Sequence, residues 1–159
     1  CCMLDHATIL SSLKENGKVY LQEGSGKTFC LRKGALAEKE VIQKGIYLLF
    51  DLFQIRTLCV SFSEVSLDIV DFASKPTIYQ SPVNPLLPKG AVVDGLVRFS
   101  LIREPNWNKL LFQIAHPVVF TEEQGVEAEV KTNLLFPLFH LGTKELFLGP
   151  EGEVKIRKG

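Results

Sequence analysis

The apolar residues of this chain are divided among many short runs, and the spacing within these runs changes repeatedly along the sequence. Helical spacing, in which apolar residues recur every three or four positions, predicts helices over 7–13, 35–45, 63–73 and 104–115. Alternating or short continuous apolar runs predict strands over 17–23, 27–32, 46–53, 55–62, 76–80, 95–102, 116–121, 144–148 and 153–157. Because helices and strands alternate irregularly, we predict a mixed α/β (α+β) fold in which helices pack on a sheet.

Two of these helices have predicted ends and buried faces. Ser63 is placed to cap the helix over 63–73. The residues that we expect it to bury are Val65, Ile69 and Phe72. The helix over 104–115 has Pro105 near its start, where the missing N–H group costs least. The residues that it is expected to bury are Trp107, Leu110, Leu111 and Ile114.

Length and composition limit the class of protein. A chain of 159 residues with 46% hydrophobic residues is expected to form one globular domain over 1–159. Its 18 basic and 18 acidic residues cancel, so nucleic acid is not the first expectation for a partner. The apolar runs are shorter than the ~20 residues that cross a bilayer, so we expect no membrane span. With no visible signal peptide, the expected location is the cytoplasm.

The segment LQEGSGKT (21–28) ends as a phosphate-binding P-loop ends. That loop requires G-x-x-x-x-G-K-[ST] followed directly by a helix. Here Leu21 occupies the place of the first glycine, and the residues after Lys27 have the β-branched and aromatic character of a strand. We therefore predict a glycine hairpin, in which Lys27 remains a weak candidate for contacting an anion.

Other residues that could carry chemistry do not form a recognisable site. His6, His116 and His140 are far apart, and no His or Cys pair has the spacing of metal ligands. Glu122 and Glu123 follow a predicted strand, which is a favoured position for a site, although acids at a helix start are an alternative. The basic end of the chain is interpreted as a solvated segment. No metal or cofactor is expected from these residues.

Five segments, taken in order, resemble the YrdC-like family. Residues 67–79, LDIVDFASKPTIY, are similar to a family helix that leads into a Pro-Thr strand. Residues 92–102, VVDGLVRFSLI, resemble the family's Asp-Gly strand, and 106–121 resemble the helix and Pro-Leu-Val-x-Thr strand that come next. The first helix and strand, over 7–21, and the closing glycine turn and strand, over 148–159, also match in character. The resemblance covers most of the chain at low identity.

This resemblance implies a twisted sheet with a concave cleft. In active members the cleft binds ATP, threonine and bicarbonate and makes threonylcarbamoyl-AMP for tRNA modification; members have also been associated with double-stranded RNA. The family's Pro-Thr-Asp-Thr motif corresponds to 22–29, which lacks it, and its Lys-x-Arg segment has no counterpart after the second helix. Its Ser-Ala-Asn falls on Glu122, Glu123 and Gln124. Two carboxylates there would repel phosphates by about 1 kcal/mol per close charge pair in water.

We therefore expect a YrdC-like scaffold that has lost its catalytic motifs. It would bind a small molecule or a protein partner through the altered cleft, with a homodimer as one possible form. The alternatives are a divergent ATP-dependent enzyme, with Lys27 and Arg98 as replacement cations, and a module that binds double-stranded RNA. The residues that the resemblance points to as ligand-binding are Thr77, Arg98, Ser100, Thr121, Glu122 and Gln124.

Overall fold

The computed structural model describes residues 6–33, 45–55, 63–73, 77–82, 92–93, 95–115, 118–140, 144–149 and 153–158. The predicted helix over 35–45 lies outside these ranges except for its last residue, and most of the predicted strand over 55–62 and His116 also lie outside them. In the described part of the chain, no helix is long and apolar enough to cross a membrane.

The described residues form four α-helices and ten strands. The helices are α1 (His6–Asn16), α2 (Glu64–Phe72), α3 (Pro105–Ile114) and α4 (Pro137–His140), and a 3-10 helix spans Leu52–Gln54. The strands are β1 (Lys18–Gln22), β2 (Thr28–Lys33), β3 (Ile46–Leu49), β4 (Thr77–Pro82), β5 (Val92–Val93), β6 (Leu96–Leu101), β7 (Val118–Glu123), β8 (Val130–Lys131), β9 (Lys144–Leu148) and β10 (Val154–Lys158).

The helix ends follow local chemistry. The Ser63 side chain accepts a hydrogen bond from the Ser66 backbone N–H, which confirms it as the N-cap of α2. Glu104 caps α3 in the same way through the Trp107 N–H, and Pro105 occupies the first turn. Gly17 ends α1 with a φ of 76°, a conformation that glycine adopts without steric cost.

The strands form one mixed sheet. Its order is β10-β9-β4-β6-β3-β7-β2-β1-β8, with β5 paired to β6 outside this path. The pairs β1–β8, β3–β6 and β4–β9 are parallel, and the remaining pairs are antiparallel. This arrangement confirms the predicted mixed α/β class.

The sheet has a core on each face. Residues paired across neighbouring strands point to the same face of the sheet. The pairing register therefore shows to which face each paired side chain points. The back face, which carries Phe29, Leu48 and Phe120, is covered by α1, α3 and α4. The front face, which carries Tyr47, Phe99 and Val119, is covered by α2. Residues of α3 that the sequence predicted to be buried are all buried: Trp107, Leu110, Leu111 and Ile114.

The predicted buried face of α2 is wrong at two of its three residues, while the third, Ile69, is half-buried and packs on the front core. Val65 is 60% exposed and Phe72 is 80% exposed, whereas Ser66 and Val70 are buried. Ser66 can be buried because Ser63 is a hydrogen-bond partner for its polar groups. The Ser63 hydroxyl accepts from the Ser66 N–H at 3.1 Å and lies 3.1 Å from the Ser66 hydroxyl. The buried face of the helix therefore contains Ser66 and Val70 and leaves Val65 and Phe72 exposed.

Candidate functional site

A group of polar side chains lies on the front face where β2 and β7 pair. The register places Cys30 opposite Thr121 and Thr28 opposite Glu123, so their side chains share this face with Arg32. We call Thr28, Arg32, Thr121 and Glu123 the polar patch. Alternation along the two strands brings these residues together although they are far apart in sequence.

The polar patch is held by a chain of hydrogen bonds. Arg32 Nη1 donates to Thr121 Oγ1 at 2.8 Å, and Thr121 Oγ1 donates to Glu123 Oε1 at 3.1 Å. Arg32 Nη2 lies 3.5 Å from the same carboxylate oxygen, and the two side chains are only 12% and 26% exposed. Thr28 Oγ1 donates to the Glu123 backbone carbonyl at 2.7 Å. The guanidinium and the carboxylate are thus positioned side by side in a partly desolvated place, where electrostatic interactions are stronger than in water.

Two further groups lie on the front face beside the polar patch. Burial raises the pKa of the Cys30 thiol from 9.0 to about 11, although nearby Arg32 acts in the opposite direction. The thiol therefore stays protonated at neutral pH and is a poor nucleophile. Val119 of β7 pairs with Arg32 of β2 on one side and with Tyr47 of β3 on the other. The buried Tyr47 hydroxyl has no hydrogen-bond partner among the described residues. Burial raises the pKa of Tyr47 to about 12.

The structure divides the ligand-binding candidates that the sequence predicted. Thr77 and Thr121 point to the front face, while Arg98, Ser100 and Glu122 point to the back face. Even the two threonines are separated, because β4 and β7 are three strand spacings apart, or roughly 14 Å. The candidates therefore do not form a single site, and binding by any one of them stays a prediction.

The back-face candidates have structural partners. Arg98 Nε and Nη2 each lie 3.0 Å from Glu145 Oε1, which also accepts from Gln80 Nε2 at 2.9 Å. The fully buried Ser100 hydroxyl donates to the Thr77 backbone carbonyl at 2.8 Å. These contacts hold β4, β6 and β9 together, so Arg98 lies beside a neutralising carboxylate.

Glu122 and Glu123 do not act as a pair. They are consecutive in β7 and point to opposite faces; Glu122 is exposed, and Glu123 belongs to the polar patch. Gln124 is exposed just after the strand. The expected repulsion of phosphates by two carboxylates on one wall therefore reduces to one carboxylate, which already faces Arg32.

The glycine hairpin is confirmed. Gln22 pairs with Thr28 at the ends of β1 and β2, and the Glu23 N–H donates to the Lys27 carbonyl at 3.0 Å. No helix follows Lys27, whose ammonium lies 5.1 Å from the centroid of the Phe139 ring in α4. The amide cradle and helix dipole of a P-loop are absent from this described turn.

Thr77 borders a groove at the other end of the front face. The groove has a volume of about 390 Å³, and its walls come from the end of α2 and from β4 and β9. Its lining residues are Ile69, Phe72, Ala73, Thr77, Tyr79, Lys144 and Leu146. Apart from Thr77, this groove was not predicted from the sequence.

Sequence reasoning missed Arg32 as a member of a site, and it did not connect Arg32 with Glu123, which it had placed after a predicted strand. The predicted strand ended at Thr121, so the alternation of Thr121 and Glu123 along one strand was not predicted, and the strand that carries Arg32 lies about 90 residues earlier in the chain. That long-range pairing has no local sequence signal. The β2–β7 register brings the two charges together.

Comparisons with known proteins identify similar folds at low sequence identity. No protein-family model and no curated protein matches the chain. A structure of H234A/Y235A P. abyssi Sua5 matches with a TM-score of 0.68 and 10% identity over 91% of this chain. Full-length HypF in its phosphate- and nucleotide-bound form matches with a TM-score of 0.69 and 15% identity over 96% of this chain. T. kodakarensis HypF gives 0.62 and 11% over 89%.

The matched proteins are considerably longer than this chain. The match spans 53% of the Sua5 chain and 28% and 22% of the two HypF chains. A further P. abyssi Sua5 structure, complexed with L-threonine, matches over 74% of this chain with a TM-score of 0.55 and 11% identity. At these identities the comparisons concern the fold, because one fold can carry many activities.

Proposed function

We propose, on the premise that this chain has the YrdC-like fold found in Sua5 and HypF, that it is a non-catalytic relative that binds a small ligand without a cofactor. The fold itself was predicted from the resemblance of ordered segments and is confirmed. The proposed binding surface is the front face at the polar patch, and the proposed ligand is a small molecule that carries both a carboxylate and an ammonium group.

The observation that carries this proposal is the pairing of opposite charges in the polar patch. Arg32 can offer two parallel N–H donors to a carboxylate, and Glu123 can accept from an ammonium group. Thr121 links the two and could donate or accept a further hydrogen bond. A Sua5 neighbour is complexed with L-threonine, which makes this amino acid the first ligand to test.

The distribution of cations supports an amino acid over a nucleotide. Holding a triphosphate normally requires several positioned basic groups. Arg32 already faces Glu123, Arg98 faces Glu145 on the back face, and Lys27 stacks over Phe139 at the hairpin. Among the described residues these three cations do not converge on a common point.

The test is a thermal-shift titration with L-threonine, AMP and ATP. A ligand that binds only the native state raises Tm, so L-threonine should raise the Tm of the wild-type protein while the nucleotides leave it unchanged. Glu123→Gln should abolish the L-threonine shift. Glu122→Gln is the matched control: it makes the same chemical change one residue earlier on the opposite face and should keep the full shift. Equal loss in both variants, or no shift with L-threonine at millimolar concentration, would refute the proposal.

A second candidate is a divergent ATP-dependent enzyme, which the nucleotide-bound form of the HypF neighbour favours. It predicts the reverse result in the same titration. ATP should raise Tm, and Glu123→Gln should increase that effect because removing a carboxylate beside Arg32 lowers the repulsion of phosphate. A duplex-RNA-binding role, the third reading of the sequence, would instead appear as retention on double-stranded RNA that falls steeply with salt.

A further inference from the structure

The outermost strand on one side of the sheet, β10, has an exposed apolar surface. Val154 and Ile156 pair with Leu148 and Leu146 of β9, so they point to the front face. Val154 is 46% exposed and Ile156 is 74% exposed. Aliphatic residues on the same face of a strand normally pack against other apolar side chains. Here no described residue covers Val154 and Ile156.

The exposed surface continues from β10 onto the groove at the end of α2. Leu146, which pairs with Ile156, lines the groove, and Phe72 lies on its opposite wall with 80% exposure. The result is an apolar strip that runs from Phe72 across Leu146 to Ile156 and Val154. The groove of about 390 Å³ gives this strip a depression large enough to receive a side chain.

The backbone of β10 can also take part in binding. Its inner edge pairs with β9, and in the described part of the chain no strand pairs with its outer edge. The N–H and C=O groups along such an edge can hydrogen-bond to an extended segment of another protein, which then becomes an additional strand. Main-chain hydrogen bonds would fix the register of the bound segment against β10. The apolar strip would favour apolar residues at every second position of that segment.

Charge decides between a second copy of this chain and a different partner. The strand sequence VKIRK contains three basic residues and no acidic residue, and the exposed Lys144 lies at the groove. Pairing β10 with a second copy of itself would bring basic residues opposite one another, which is destabilising. An acidic segment would instead be attracted to this edge.

We propose that the outer edge of β10 and the adjoining apolar strip bind an extended segment of a partner protein in which acidic and aliphatic residues alternate. The acidic residues face Lys155, which points to the side of β10 opposite Ile156, and the aliphatic residues pack on Ile156, Val154 and the groove. This surface is five strand spacings, or roughly 24 Å, from β7 and the polar patch. It is therefore independent of the proposed small-ligand site.

The experiment uses synthetic peptides as probes of this chemistry. One peptide alternates Glu and Val, a second alternates Lys and Val, and a third repeats the Glu-Val sequence with alternate backbone nitrogens methylated. Binding is followed by fluorescence anisotropy, and amide exchange of residues 154–158 is followed in parallel. The Glu-Val peptide should bind and slow amide exchange in β10, the Lys-Val peptide should not bind, and methylation should abolish binding because it removes main-chain donors.

Variants of the protein separate the contributions of charge and apolar contact. The variant Lys155→Glu, which reverses a charge on the side of β10 opposite Val154 and Ile156, should weaken binding of the Glu-Val peptide by about tenfold or more and make the Lys-Val peptide bind. Phe72→Ser and Ile156→Ser should each weaken binding several-fold. The matched control is Phe112→Ser, which removes a similarly exposed aromatic ring (65%) from α3 on the back of the molecule and should leave binding unchanged. Circular dichroism spectra and Tm values confirm that each variant is folded.

Three kinds of outcome would overturn the proposal. The first is no binding of the Glu-Val peptide at millimolar concentration. The second is equal binding of the acidic and basic peptides, or full binding after methylation. The third is a concentration-dependent dimer, detected by sedimentation, that Ile156→Ser disrupts, since this would make a second copy the occupant of the edge.

Discussion

The direction of single strand side chains determines which charges can act together in this protein. Glu122 and Glu123 are neighbours in sequence, yet only Glu123 joins Arg32 and Thr121. The same alternation sends Ser100 into a buried hydrogen bond and leaves Cys30 on the front face beside the guanidinium. A residue's chemical role here depends on its pairing partner more than on its own type.

The buried thiol of Cys30 predicts a loss of stability at alkaline pH. The pKa of this thiol is about 11 in the folded protein and near 9.0 when unperturbed, because burial disfavours the thiolate. Between these values the unfolded chain releases the proton while the folded protein keeps it. The contribution to the free energy of unfolding is therefore complete below pH 9 and is lost as pH rises towards 11.

Urea unfolding measured at several pH values checks this expectation. The Cys30→Val variant keeps a small apolar side chain but cannot ionise, so its free energy of unfolding should fall less steeply over the same range. Tyr47 retains its own titration at higher pH in both proteins, since its pKa is about 12. Identical pH profiles for wild type and Cys30→Val would show that the thiol does not contribute.

At the scale of secondary-structure elements, length and local chemistry explain which features the sequence predicted. The helix α3 was predicted with its buried face because a proline start and four apolar residues at regular spacing agree with each other. The bounds of α2 were predicted, and Ile69 packs on the core as expected, but Val65 and Phe72 are exposed because the Ser63–Ser66 contact makes a polar residue acceptable inside. β8 has two residues and α4 has four, which is too short for any periodicity to be recognised.

The corrected orientation of α2 predicts that truncating two of its valines has unequal effects on stability. Val70→Ala should lower the free energy of unfolding by about 2 kcal/mol, because Val70 is fully buried and its loss leaves a cavity. Val65→Ala should change it by less than about 0.5 kcal/mol, because Val65 is mostly exposed. Chemical denaturation of the two variants measures both values. A larger loss for Val65→Ala would restore the face that apolar spacing suggested.

The hairpin between β1 and β2 predicts a specific requirement for glycine at position 24. A Cβ atom there would overlap the Asn133 backbone oxygen, and the Gly24 N–H donates to the Leu134 carbonyl at 2.8 Å. Gly24→Ala should therefore cost about 1–3 kcal/mol through steric overlap. Ser25→Ala, at the exposed next position, should have little effect on Tm. Similar Tm values for both variants would show that the turn can move away from residues 133–135.

At the scale of the whole molecule, the fold could be predicted and the site could not. Ordered weak similarities along the chain were enough to indicate the YrdC-like fold, because each segment constrains the next. The polar patch depends on the register between β2 and β7, and the groove depends on how α2 lies on β4 and β9. These long-range arrangements are not encoded in any short motif.

The sheet order predicts how protection from hydrogen exchange is distributed. β3 and β7 lie in the middle of the sheet with a paired strand on each side, whereas β10 and β8 are its outermost strands. Backbone amides of β3 and β7 should exchange most slowly, and those of β10 and β8 most rapidly. Native-state exchange followed by mass spectrometry or NMR measures this order. Protection of β10 equal to that of β7 in the isolated protein would contradict it.

The pairing of β2 with β7 also has a consequence for biosynthesis. Thr28 and Glu123 are bonded across 95 residues of sequence, so β2 cannot acquire this neighbour until the later strand has been synthesised. At roughly 5–20 residues per second, translation leaves the β2 edge of the early hairpin unpaired for about 5–20 seconds. Nascent chains that stall in this interval would be prone to aggregate and would be expected to depend on ribosome-associated chaperones.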